Sequence, residues 1–325
     1  MQSGILIAKK LVIMYNKFVM ITKKQNLLGQ LLLLLATLAW GTSFFILKET
    51  IEKVNELYVL AIRFILSGLL LFAIFFKRIK KADKKTLVHG LILGVILVFA
   101  YVIQTRGLYF TTPSRNAFLT SAYCVMVPFI AWLLIKKAPK LYNVLSAVLC
   151  IVGIGFVAFS GKQGTGRNLL LGDGLTLIAA VFYGLQIIFI AKYQGNGEDT
   201  GVLLTFEVLT VGVVCAILSL ATELPKGTAG YALNLEQMLK IGYLAIVCTL
   251  GAQMAQIFGQ KFTTENQASL ILSLEAVFGT LFSVILGDER LTVGLTIGFV
   301  IIFIAMMITE FKLDPIKLFN NKKHL

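Results

Sequence analysis

Glu275 lies about ten residues into an apolar run that opens near residue 266. At about 1.5 Å per helical residue it sits about 15 Å deep, close to the middle of a hydrocarbon core about 30 Å thick. A carboxylate there costs about 2.5–3.5 kcal/mol or more against lipid, so it must face a cavity or a partner. Two roles fit. It holds a cationic substrate group or takes up a coupling proton, or it is a hydrogen-bonded carboxyl that ties helices together. Gln253 and Gln256 are three residues apart and share one helix face. Tyr101 and Gln104 form a similar polar face in an earlier run. Such faces look inward, where their amides either read an amine and a carboxylate or bond neighbouring helices. Trp40 and Tyr183 sit near the middle of two other runs, suited to walling a pocket or simply to packing. Arg63 either binds an anionic group or snorkels outward. Glu207 either partners a gate or lines a solvated vestibule. Pro128 can kink its helix and free a carbonyl, a second candidate for gating.

The elements that must position these residues are apolar runs about as long as a bilayer is thick. Hydrophobic residues make up 58% of the 325-residue chain and charged residues 14%, too little polar surface for a soluble domain. Ten runs can be read, near 27–47, 57–76, 87–108, 113–134, 141–160, 171–192, 202–221, 239–259, 266–286 and 291–311. They are continuous rather than alternating, which selects helices over barrel strands. The expected fold is therefore an all-α integral membrane protein.

The ten runs fall into two copies. Phe110-Thr111-Thr112 recurs as Phe262-Thr263-Thr264, and Ala100, Gln104 and Gly107 recur as Ala252, Gln256 and Gly259 at the same spacing. Leu28-Gly29 and Gly41 match Leu171-Gly172 and Gly184, and Gly68 matches Gly212. In this register Trp40 matches Tyr183, Arg63 matches Glu207, and Glu275 matches Tyr123, so the central acid has no acidic twin. Each copy holds five runs, an odd number, so the copies must be inverted relative to each other, the framework of alternating-access carriers. The divisions are a basic segment 1–26, a first repeat 27–160, a glycine-rich linker 161–170, a second repeat 171–311 and a basic tail 312–325. Met14 or Met20 would serve as well as Met1 for the start of translation.

The net charge of +14 is unevenly distributed. With a cytoplasmic N-terminus, the inner ends hold most of the lysines, among them Lys77, Lys80, Lys81, Lys84, Lys85, Lys136, Lys137 and Lys140. The outer ends hold fewer bases (Lys48, Arg106, Arg115 and Lys162 among them), offset by acids such as Asp173, Asp288 and Glu289. Solvated orienting charge accounts for this pattern, which places both termini in the cytoplasm of a plasma-membrane protein and removes the case for nucleic acid. Cys124, Cys150, Cys215 and Cys248 lie inside runs without metal-ligand spacing and are expected to pack as small apolar groups. Neither His89 nor His324 has an acidic or cysteine partner at a useful spacing. There is no phosphate-binding glycine loop, so no cofactor is expected and direct use of ATP has no support. Small-xxx-small spacings such as Gly90/Gly94 and Gly294/Gly298 allow internal packing or a homodimer.

Ala39-Trp40-Gly41-Thr42-Ser43-Phe44, Arg63-Phe64, Leu272-Ser273-Leu274-Glu275-Ala276-Val277-Phe278 and Leu286-Gly287-Asp288-Glu289-Arg290-Leu291 together resemble the EamA type of the drug/metabolite transporter superfamily. Ala276 stands where that family commonly carries proline. The resemblance spans roughly 27–311 and implies a ten-helix carrier, often an exporter of amino acids or other small metabolites. The expected partners are a small-molecule substrate, the lipid bilayer and a coupling proton. A membrane-embedded enzyme and a channel-like facilitator are the alternatives.

Overall fold

The computed structural model describes residues 23–136, 138–160, 168–263, 265–287 and 289–311. Most of the basic N-terminal segment, most of the linker, the C-terminal tail and the charges Lys137, Lys162 and Asp288 lie outside the described residues. The described residues form helices and turns, with no strand among them.

The ten expected spans are present, most with longer ends than the apolar runs alone suggest and spans 5 and 10 slightly shorter. Span 1 is Lys23–Ile51, span 2 Glu56–Ile79, span 3 Lys84–Phe110, span 5 Leu141–Phe159, span 6 Leu169–Gly195, span 7 Thr200–Thr222 and span 10 Val293–Phe311. Span 4 is two helices, Pro113–Ser121 and Tyr123–Ile135, and span 9 is likewise Glu265–Ser273 and Glu275–Leu286. Span 8 runs from Leu235–Ala245 through a π-helical turn, Ile246–Gly251, into Ala252–Gln260. Eight spans are long and apolar enough to cross a membrane, and spans 5 and 10 are shorter apolar helices.

Polar residues set the helix starts. Asp83 accepts the backbone N–H of Thr86 at 3.1 Å, Thr112 precedes Pro113 in the first turn, and Asn234 forms a reciprocal capping box with Gln237. Asp83 lies outside the spans, and its hydrogen bonds with Thr86 hold its carboxyl below the usual carboxylate range.

Helix pairing follows the repeat. Span 2 packs on span 7 and span 5 on span 10; span 3 on span 6 is mirrored by span 1 on span 8. The glycines that align the two copies are the residues that meet. A Cβ on Gly107 would lie 2.9 Å from the carbonyl oxygen of Gly172, and one on Gly172 would lie 2.8 Å from that of Gly107. In the other half a Cβ on Gly259 or Gly29 would lie 2.9 Å from the carbonyl oxygen of its opposite number. Only glycine lets these backbones approach so closely. The first contact joins the end of span 3 to the start of span 6; the second joins the end of span 8 to the start of span 1. They therefore sit at opposite ends of an inverted pair of five-helix repeats. We call the end carrying the Lys80–Lys85 turn the basic end and the other the far end.

Between the ends, large apolar side chains such as Leu69, Val148 and Ile151 are exposed around the bundle, as a lipid-facing surface requires.

Candidate functional site

Spans 4 and 9 break at equivalent residues, Ala122 and Leu274. At both, the backbone tightens to a bond three residues back, Ala122 N–H to Leu119 O and Leu274 N–H to Ile271 O. The residues that follow, Tyr123 and Glu275, open the second half-helices at the centre of the bundle. The backbone stays right-handed at both breaks, so these are tightened turns rather than unwound segments. Pro128 lies beyond the break, and span 9 breaks without a proline, so Pro128 is not what both breaks require.

The breaks, with spans 1, 3, 6 and 8, enclose a central cavity. Trp40, Tyr101, Gln104, Tyr123, Tyr183, Gln253, Gln256 and Glu275 all line it, joined by Ser43, Phe44, Gln186, Ile187 and Leu272. Eight of the nine residues expected to bind substrate are thus gathered in one place, and Arg63 is the exception. The cavity is small, about 30 Å³, room for about two waters.

The two halves of the wall differ in how their polar groups are used. Gln104 is fully engaged: its Nε2 donates to Thr120 Oγ1 at 2.8 Å, and its Oε1 accepts from Tyr183 O–H at 2.7 Å. Its twin Gln256 has a buried Oε1 with no partner. The cause lies in the neighbours. Leu272 replaces Thr120, and Trp40, the twin of Tyr183, sends its indole N–H to the carbonyl of Cys248 at 2.9 Å. Glu275 is 5% exposed, and its Oε1 receives one long bond from Ser121 Oγ, 3.4 Å. The second half therefore presents under-used acceptors to the cavity, and the first half does not.

Arg63 does not snorkel; it is 1% exposed. The π-helical turn of span 8 holds it. Arg63 Nε donates to Thr249 Oγ1 in a short bond and Nη2 donates to Cys248 O at 3.2 Å, while Nη1 has no partner. The guanidinium lies 5.3 Å from the Tyr101 ring centre, behind that wall of the cavity. Glu207 is not a solvated vestibule residue either. It is fully buried, its Oε1 accepts from Gln186 Nε2 at 2.5 Å, and its Oε2 has no partner. No ion pair links Arg63 and Glu207 among the described residues; each is held by its own partners.

Two further pairs correct the sequence reading. Arg115 and Asp173, assigned to solvated outer charge, are buried at 2% and 3% exposure and pair with each other. Thr112-Pro113 turns the chain back into the bundle at once and carries Arg115 with it. His89, read as lacking an acidic partner, bonds Glu198 at 2.7 Å and stacks on Tyr193 at the basic end. Sequence spacing could not show a partner across 109 residues.

A family model described as the EamA-like transporter family matches residues 27–159 and again 170–311. The chain belongs to the EamA-like transporter family. An Archaeoglobus fulgidus protein described as an uncharacterized transporter is 30% identical over 288 residues, 89% of this chain and 87% of its own length. The Bacillus subtilis uncharacterized transporter YoaV is 21% identical over 283 residues, 85% of this chain and 94% of its own. A crystal structure of 16% identity superposes with a TM-score of 0.63, covering 86% of this chain and 95% of its own, which supports the fold alone. This EamA-like chain is thus a multi-pass membrane transporter.

Three features of this EamA-like site escaped the sequence. The π-helical turn is invisible in Ile246–Gly251, which reads as ordinary apolar helix. Gln186 points to Glu207 from a run in which no polar face had been noted. Asn116, bonded to Thr176 Oγ1 at 2.7 Å, belongs to a polar stretch read as the start of a span. The repeated glycines were the signal that could have placed spans 3 and 6 together.

Proposed function

We propose that the chain is a secondary transporter that exports small metabolites such as amino acids or amphiphilic compounds by alternating access around the central cavity. The observation that carries this reading is the pair of under-used acceptors, Glu275 and Gln256 Oε1, facing a cavity walled by Trp40, Tyr101, Tyr123 and Tyr183. Buried acceptors without donors are costly, and a ligand bearing N–H groups relieves that cost. An ammonium group suits Glu275, and the aromatic wall suits an apolar body. Gln253 fixes orientation, Gln104 holds Tyr183 in the wall, and Arg63, with Nη1 free behind Tyr101, receives an anionic group when the wall moves.

A cavity of about 30 Å³ cannot hold an amino acid, so the helices must separate at one end to load and at the other to release. Glu207 and Pro128 act in that movement rather than in binding. A proton gradient supplies the energy, with Glu275 taking up the proton when substrate leaves. The basic end faces the cytoplasm, with both termini there and the protein in the plasma membrane.

The test is flux in proteoliposomes with a panel of amines and amino acids. Glu275→Gln keeps the side-chain shape, so it should abolish coupled flux while the protein remains folded. Unchanged kinetics would remove Glu275 from the mechanism.

A further inference from the structure

The two ends of the bundle are built from equivalent helices but sealed by different chemistry. At the far end, Arg115 on span 4 meets Asp173 on span 6. Arg115 Nε donates to Asp173 Oδ1 at 3.2 Å, Nη2 donates to Oδ2 in a shorter bond, and Thr111 O–H adds a third bond to Oδ1 at 2.8 Å. This cluster lies beside the Gly107–Gly172 crossing. At the basic end, the repeat register puts Gln267 where Arg115 stands and Gln30 where Asp173 stands. Those neutral amides are joined through Asn26, whose Nδ2 donates to Gln267 Oε1 at 3.3 Å and whose Oδ1 accepts from Gln30 Nε2 at 2.8 Å. This chain lies beside the Gly29–Gly259 crossing. Next to it Gln260 is 6% exposed, and neither end of its amide has a partner.

We infer that Arg115 and Asp173 form a charge-matched seal of the far gate. This rests on the alternating-access reading above and adds the contact that holds one gate shut. Closing the far gate buries two charges, which is tolerable only when each finds the other. A lone charge left there is strongly unfavourable, and water entering an opened gate is its readiest relief. Removing both charges recreates the neutral arrangement of the other end and lets the gate close again.

The test uses the full chain in oriented membrane vesicles, with Cys124, Cys150, Cys215 and Cys248 each replaced by Ser and a single reporter, Ser43→Cys, in the cavity wall. The readout is its rate of modification by an impermeant maleimide from either side. Arg115→Gln alone and Asp173→Asn alone should each raise the far-side rate about tenfold or more, whereas the double variant should return to within about threefold of the parent. Far-side rates that do not change, or that add in the double variant, overturn the seal. Silence from both sides in every variant overturns the inference together with the alternating-access reading beneath it.

Discussion

Gln104 and Gln256 occupy equivalent places in the two repeats, yet the structure gives them opposite energetic roles, and a pair of substitutions separates them. Gln104→Met removes two interhelical hydrogen bonds, to Thr120 and from Tyr183, and leaves both hydroxyls to find new partners. Such bonds in membrane bundles average about 0.6 kcal/mol and reach about 1.7, so the loss should be about 1–3 kcal/mol. Gln256→Met has nearly the same shape and removes an acceptor that has no partner. An unsatisfied buried polar atom costs about 1–3 kcal/mol, so its removal should leave stability unchanged or raise it slightly. Substrate binding should show the reverse order. If Gln256 Oε1 receives a substrate N–H, its loss forfeits about 1 kcal/mol, or about fivefold in affinity, and more if the donor is charged. Thermal unfolding of the purified variants gives the first ranking. Ligand-induced stabilisation, which scales with occupancy of the folded state, gives the second. Equal destabilisation by the two substitutions, or a larger fall for Gln256→Met, would refute the reasoning.

Other consequences follow from the same geometry. Gly107→Ala should destabilise by about 1–3 kcal/mol, because its Cβ meets Thr176 Oγ1 and, just behind it, the backbone of span 6 at Gly172 O and Thr176 N, which cannot swing away. Gly174→Ala, whose Cβ meets nothing within 4 Å, should be neutral or stabilising by up to about 1 kcal/mol; melting curves of the two distinguish the cases. Arg63→Lys should not replace Arg63, since one ammonium cannot meet Thr249 Oγ1 and Cys248 O with the guanidinium's fixed geometry; a stable variant with unchanged transport would contradict this. Thr249→Val removes a partner of Arg63 and the Thr249 bond to Leu244 O at 2.9 Å, and should lower thermal stability by about 1–2 kcal/mol.

The sequence makes the architecture plain because lipid imposes continuous apolar runs and because the chain is written twice. The glycine matches carry more than homology. Gly107 with Gly172, and Gly29 with Gly259, are the contacts that bring the halves together. The lining of the cavity was legible for a related reason, since a Gln, Tyr or Glu deep in an apolar run has few places to go except inward. What sequence could not show was the use to which each group is put. Gln104 and Gln256 look alike in the chain, and only the replacement of Thr120 by Leu272 and the turn of the Trp40 indole toward Cys248 set them apart. Arg115 and Asp173 looked like interfacial charge because depth near a span end is uncertain by a turn or more. Their pairing depends on two helices from different repeats, which no local spacing encodes.

The claim beneath all of this is that two inverted halves open alternately around one cavity. Paired spin labels test it most directly, one pair across the far end at Arg106 and Leu170, the other across the basic end at Leu27 and Lys261. On adding a transported substrate to protein in lipid, the two distance distributions should shift in opposite senses. Distances that stay fixed at both ends, or lengthen together, would contradict it.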